Sequence, residues 1–186
     1  MPETEALVDA ELVLRFQAGE ESAFEDLVRR HMKDAYAFAL RLCGDPQEAE
    51  ELSQEGFVHA FRALGAFRGE SAFRSWLYRI VINLHRDRRR RLRREETRLG
   101  VVREETERRQ AATAEGAGVQ ADELADVVRD RVALLPDRQR EVLVLHVYHG
   151  LDYRGVASVL GCSYEDVKMN LSLARKKLKE ALKEYL

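Results

Sequence analysis

The sequence predicts an all-α protein: two small helical domains joined by a flexible linker, the C-terminal one a helix-turn-helix. Three observations predict it. Apolar residues recur at three- and four-residue intervals through most of the chain, the period of a helix with one buried face. The 186 residues include only three prolines, and 34% are charged, which suits helical surface rather than a β design with many turns. Between about residues 95 and 122 the apolar period decays into EETRLGVVREETERRQ and then AATAEGAGVQA, the composition of a tether. The expected divisions are therefore 1–94, a linker over 95–122, and 123–186.

A short helix is expected over residues 9–18, with Asp9 as N-cap and Gly19 ending it. A long helix follows. Ser22 and Glu25 fit a capping box, and Phe24, Leu27, Val28, Ala35, Phe38, Ala39 and Leu42 form its apolar stripe. Gly44 closes it. Asp45-Pro46 restarts the chain as N-cap and first helical residue, where proline's missing N–H costs nothing. The third helix runs to about Leu64, with Ala49, Leu52, Phe57 or Gly56, Ala60, Phe61 and Leu64 inward and Glu48, Glu51, Gln54, Glu55 and Arg62 outward. After a loop at 65–71, a helix capped by Ser71 runs into the arginines.

In the second half, Leu124, Val127, Val128, Val132 and Leu135 mark a helix stopped by Pro136. Another runs from Asp137 to Tyr148. Asp152 caps a short helix, Gly161 makes a tight turn, and Ser163 with Asp166 caps the next helix. Ala157 permits close helix approach and Gly161 supplies backbone freedom, so the pair of helices reads as a helix-turn-helix.

Charge is segregated within a total of only −2. Between Arg41 and Arg62 stand five acids and no lysine or arginine. From Ser71 to Arg94 stand nine arginines against one acid, Asp87, directly behind the aromatics Phe67, Phe73, Trp76 and Tyr78. Guanidinium groups hold phosphates and aromatic faces stack unpaired bases, at about 1–3 kcal/mol per base. The final helix adds Arg175, Lys176, Lys177, Lys179 and Lys183, a second basic footprint. An acidic face beside a basic one suits a protein that joins a basic partner to an anionic polymer.

Other chemistry finds little support. No run approaches the roughly 18 apolar residues of a membrane span. The acidic N-terminus MPETEALVDAE lacks a signal peptide's order, so a cytoplasmic protein is expected. Cys43 and Cys162 fit no metal or redox spacing and read as reduced core residues. His146 and His149 lie three apart but lack a third ligand, so no metal and no cofactor are expected. There is no phosphate loop, nucleophile elbow or paired carboxylate, and an enzyme is not expected.

Taken in order, these residues resemble a bacterial RNA polymerase sigma factor of the extracytoplasmic-function (ECF) type. DPQEAEELSQEGFVHAFRAL resembles region 2.2, FRGESAFRSWLYRIVINLHRD regions 2.3–2.4, and LLPDRQREVLVLHVYHGLDYRGVASVLGCSYEDVKMNLSLARKKL region 4. The resemblance implies a transcription initiation factor that binds core polymerase, melts and reads the −10 element and reads the −35 element. It implies core binding, at the β′ clamp, by Asp45, Glu48, Glu51, Gln54 and Glu55. The −10 contacts implied are Phe67, Arg68, Gly69, Glu70 and Ser71 of a base-capturing loop, with Arg74, Trp76, Arg79, Asn83, Arg86, Arg88, Arg89 and Arg90. The −35 contacts implied are Ser163, Tyr164, Glu165, Asp166, Lys168, Met169, Asn170, Arg175, Lys176 and Lys177. Further implied partners are the β flap, promoter DNA and an anti-sigma factor. The family's GTVKSR is EDVKMN here, which points to an unusual −35 preference, since Asn pairs with adenine and acids accept from cytosine. Two rival readings are a sigma mimic that sequesters an anti-sigma protein and an ordinary helix-turn-helix repressor. The mimic need not keep the arginines and Trp76; the repressor needs neither the acidic face nor the aromatic helix.

Overall fold

The computed structural model describes residues 2–98, 121–183 and 185, with side chains from 7 to 98, from 127 to 183 and at 185. The described residues form helices and no strand. Helix α1 spans Pro2–Gln17, α2 Ser22–Cys43, α3 Pro46–Leu64 and α4 Phe73–Arg98. The second half holds α5 (Ala121–Ala133), α6 (Asp137–Leu143), α7 (Tyr153–Leu160) and α8 (Tyr164–Ala181). At Val144–Tyr148 the helix begun by α6 widens to a π-helical turn, so its last part departs from the regular helix expected to Tyr148.

Several boundaries follow local chemistry. Asp45 caps α3, its Oδ1 accepting from the Glu48 N–H at 2.7 Å, with Pro46 next in line. Gly44 closes α2 at φ 79°, its N–H reaching Leu40 O at 2.8 Å. Asp152 caps α7, and Ser163 with Asp166 forms a reciprocal capping box on α8. Gly161 takes φ 61° between them.

Four expectations are corrected. Asp9 does not cap a helix starting there; α1 begins at Pro2, and Asp9 is a buried side chain held by His31 Nε2 at 2.8 Å and Arg30 Nε at 3.0 Å. That charge-assisted pairing holds its carboxyl below the usual range against the opposing cost of burial. The Ser22–Glu25 box does not form, because Ser22 Oγ donates to Glu20 Oε1, which already binds Arg15. Ser71 does not cap α4; the helix starts at Phe73, and Ala72 O accepts from the Trp76 N–H. Residues 95–98, expected in the linker, continue α4; the rest of that segment, 99–120, lies outside the described residues.

Two apolar clusters organise the packing. One joins α1 to α4 through Leu12, Phe24, Leu27, Phe57, Leu64, Phe73 and Leu77. The other runs through both halves of the chain: Phe38, Leu42, Leu52, Tyr78, Val81 and Ile82 share it with Leu135, Val142, Leu145, Val156, Leu160, Val167 and Leu171. Cys43 and Cys162 are free thiols at its margin, and burial pushes the Cys43 thiol up to about 11.

Gly56 sets the α3–α4 crossing. A Cβ there would stand 2.9 Å from Val81 Cγ2, inside contact distance. Gly56→Ala is expected to lower stability by about 1–3 kcal/mol through overpacking. Denaturant unfolding would show it as a fall in midpoint; an unchanged midpoint would mean that α4 yields freely.

Candidate nucleic-acid and protein interfaces

Helix α4 is two-sided because its sequence alternates at the helical period. Phe73, Leu77, Val81 and Leu84 enter the core, while Trp76, Arg79, Asn83, Arg86 and Arg90 follow one another along another face. Arg79 and Asn83 are exposed, Arg74 and Trp76 half-buried. Trp76 rests on Phe67 at 4.8 Å between ring centroids and on Phe73 at 5.9 Å, so the aromatics expected to meet bases form one small cluster. Beside it the loop side chains Arg68 and Glu70 stand in solvent, and Gly69 takes φ 71°.

The arginines of this face are not all bare. Arg86 donates to both oxygens of Glu141, Nε to Oε1 at 2.8 Å and Nη2 to Oε2 at 2.5 Å, and Glu141 is 2% exposed. Arg79 Nη2 donates to Ser158 O at 2.6 Å and to its Oγ at 3.2 Å. Arg89 and Arg93 approach Asp137 at 3.8 and 3.3 Å. The second half of the chain therefore lies across part of the predicted −10 face. Arg88 turns the other way, to Glu51 at 3.1 Å and Glu55 at 3.0 Å on α3.

The acidic face divides accordingly. Asp45 is spent on capping α3, and Glu48 leans toward buried His85 at 3.7 Å, which holds its carboxyl below the usual range. Glu51 and Gln54 are exposed, and Gln54 Nε2 donates to Glu50 at 3.2 Å. Phe61, expected inward, is 41% exposed, packing its edge on Phe16 and Phe24; Val58 beside it is 47% exposed. Glu51, Gln54, Val58 and Phe61 thus make one outward stripe, mixed polar and apolar. Sequence reading missed Val58 and Phe61; the signal was their spacing of four and seven residues from Gln54.

On α8, Val167, Leu171 and Ala174 are buried and Glu165, Lys168, Met169, Arg175, Lys176 and Lys177 face solvent. Asp166 is occupied by the cap, and Asn170 Nδ2 donates to Asp166 O at 2.8 Å. Tyr164 is exposed against Tyr153, ring centroids 5.4 Å apart.

Residues 27–95 match the model for Sigma-70 region 2, and residues 125–178 match that for Sigma-70, region 4. The chain is 34% identical over 185 residues to the RNA polymerase sigma-H factor of Pseudomonas aeruginosa, covering 96% of this chain and 95% of that one. The chain belongs to the sigma-70 family, in its ECF group. It is 28% identical over 189 residues to the ECF RNA polymerase sigma-E factor of Haemophilus influenzae, covering 98% and 99% of the two chains. Two solved structures share the fold. One is the sigma factor RpoE with the anti-sigma factor NepR from Bartonella quintana, with TM-score 0.71, 26% identity and coverage of 86% and 96%. The other is CnrH with the cytosolic domain of CnrY, with TM-score 0.68, 28% identity and coverage of 95% and 98%. The protein is a sigma factor that binds core RNA polymerase and directs it to promoter DNA. No described helix is long and apolar enough to cross a membrane.

In this sigma factor regions 2 and 4 meet at a half-buried polar contact. The Tyr78 hydroxyl and His149 Nδ1 share a hydrogen bond of 2.8 Å, and Phe38 stacks on Tyr78 at 4.3 Å and meets His149 edge-on at 5.1 Å. His146 is separately bound, its Nδ1 reaching Leu151 O at 2.8 Å. Burial first, then Arg41 and Arg74, push His149 down to about 4 from 6.5, with Asp34 opposing weakly. Neutral His149 keeps this bond without a charge, whereas protonation would put a cation into the half-buried site beside Arg41 and Arg74, with Nε2–H left without a partner among the described residues. Separated halves would restore the higher value. The contact is therefore at full strength above about pH 6.5 and weakens as pH falls toward 4, by up to about tenfold per pH unit. Small-angle scattering between pH 7 and about 5 should show expansion that His149→Phe suppresses. The same expansion in that variant would assign the effect to other groups.

Proposed function

We propose a division of labour along the chain. Residues 1–94 dock on the polymerase β′ clamp and open the −10 element, 123–186 read the −35 element and meet the β flap, and 95–122 span the two. The observation that carries this is the two-sided α3–α4 pair. Its stripe of Glu51, Gln54, Val58 and Phe61 faces one way, and the face of Trp76, Arg79, Asn83, Arg86 and Arg90 another. In this reading Asp45, Glu48 and Glu55 shape the clamp surface from within, while Glu51 and Gln54 touch it.

The loop residues Phe67 to Ser71 take an extruded −10 base, and the Trp76 cluster stacks its neighbour. Arg74, Arg89 and Arg90 add positive field along the strand, whereas Arg88, expected there too, is turned to Glu51 and Glu55 and ties α4 to α3. Extrusion costs a few kcal/mol, which stacking and phosphate contacts offset. At the −35 element, Glu165, Lys168 and Met169 face the groove, Arg175, Lys176 and Lys177 hold phosphate, and Ser163 with Asp166 shapes the helix start.

Arg79 and Arg86 meet DNA only after regions 2 and 4 part, so the structure described here is the resting form. Of the solved relatives named above, RpoE from Bartonella quintana is in complex with the anti-sigma factor NepR, and CnrH with the cytosolic domain of CnrY. An anti-sigma factor that stabilises the closed arrangement suits this chain. An open apolar groove of about 750 Å³ crosses both halves, lined by Tyr36, Leu40, Val128, Val132 and Tyr148 among others. An amphipathic helix laid there would touch both regions at once. Polymerase supplies the chemistry, so the chain itself acts as a binding protein in the cytoplasm. The deciding experiment is run-off transcription with purified core polymerase on promoters taken from mapped starts after overexpression. Specific transcripts are expected with the protein and none without it; failure to join core, or to direct a start, would remove the reading.

A further inference from the structure

Helix α1 makes a contact that its sequence pattern does not announce. Gln17, its last residue, donates from Nε2 to Leu64 O at 3.0 Å and to Phe67 O at 2.8 Å. Two carbonyl partners fix the orientation of the amide, since only its NH2 end donates. Leu64 ends α3 and Phe67 opens the loop to α4, so one exposed side chain bridges the loop's first turn. Beyond it, the Phe67 ring rests on Trp76 at 4.8 Å between centroids. Ala66 and Phe67 bond back to Ala63 and Leu64, but among the described residues no backbone hydrogen bond holds 68–71, and Arg68 and Glu70 pair at 3.6 Å in solvent.

The loop and α1 together bound a cleft of about 380 Å³. Leu14 and Gln17 form one wall, and Phe67, Gly69, Ser71 and Phe73 the other. Leu14 is 66% exposed, an apolar surface on the cleft side of a helix otherwise packed through Leu12 and Val13. A loop that had to order itself as it caught a base would lose conformational entropy on binding, and a loop already tied down would not.

We propose that Gln17 is a positioning residue for base capture. It ties the loop to α1 so that the cleft between them stands ready for one unpaired −10 base, with Leu14 as its apolar wall. This rests on the assignment of the loop to the −10 element.

The test uses the full chain bound to core polymerase and single-stranded non-template oligonucleotides. One carries the −10 sequence selected by the wild-type holoenzyme, and a set carries each substitute at the captured base. Gln17→Leu removes both donors and is expected to weaken binding of the selected strand about tenfold, the effect of two lost hydrogen bonds. Discrimination against the substitutes should shrink by a similar factor. Gln17→Lys, which still donates to both carbonyls, should keep most of the discrimination. Core affinity and binding of −35 duplex should not move, and the melting temperature should fall by only a few degrees, since the bonds lost are two on the surface. Wild-type discrimination in Gln17→Leu would overturn the proposal. So would equal weakening on every strand, which would mark a general loss of surface. A wild-type holoenzyme with no base preference would instead overturn the −10 assignment of the loop, and the proposal with it.

Discussion

Changing Gln54 to Ala and Val58 to Glu together is expected to cut holoenzyme formation roughly thirtyfold or more, the loss of one central contact of about 2 kcal/mol. Both side chains stand on the outward stripe of α3 and neither supports the core: Val58 is 47% exposed, and among the described residues Gln54 bonds to Glu50 on its own helix. A charge reversal at Glu55 would be a poorer choice. Glu55 Oε2 lies 3.0 Å from Arg88 Nη2, so an arginine there would push α3 from α4 and mix folding with binding. Fluorescence anisotropy of labelled protein against core polymerase gives the affinity, and run-off transcription gives the consequence. The double variant should melt as the wild type does. Wild-type affinity in it would mean that polymerase docks on some other face, and the two-sided reading of α3 and α4 would be lost.

Glu141→Ala is expected to release region 4 from region 2. Glu141 is 2% exposed and accepts both of its short bonds from Arg86, with Arg138 at 3.6 Å as a weaker neighbour. The Arg86 guanidinium is held by this bidentate pair, which raises its own pKa. Removing one member of a buried pair typically costs about 3–5 kcal/mol. The Arg86 side chain is 32% exposed and partly rehydrates, so the lower end applies. A shift on the order of a hundredfold toward separated halves follows. Hydrogen exchange should lose protection on α4 around residues 79–86, and the free protein should bind promoter DNA more tightly as Arg79 and Arg86 become available. Glu141→Gln keeps an acceptor and should lie between. Unchanged exchange in the alanine variant would show that the apolar cluster alone closes the molecule.

Most of the fold was legible because it is decided over short distances. The caps at Asp45, Asp152 and Ser163 each join groups three residues apart, so residue type and spacing suffice to find them. The failures came where a distant or competing partner outbid the local one. Asp9 has the look of an N-cap, but His31 and Arg30 reach it from α2 and draw it into the interior. Ser22 is diverted to Glu20 because Arg15 holds that carboxylate nearby. Phe61 reads as core by period, yet its edge packs on Phe16 and Phe24 at the rim and the rest is left to solvent.

The linear order of residues was enough to establish eight described helices, the helix-turn-helix, the segregation of charge and membership of the sigma family. Each of these depends on patterns repeated within a turn or two, or on motifs read in order. Only the tertiary structure decided which charges are spoken for. Arg88 reaches Glu51 across 37 residues, Arg79 reaches Ser158 across 79, and Arg86 reaches Glu141 across 55. A count of arginines treats them alike. Their availability depends on which helix faces they occupy and what those faces pack against, and no local spacing encodes that.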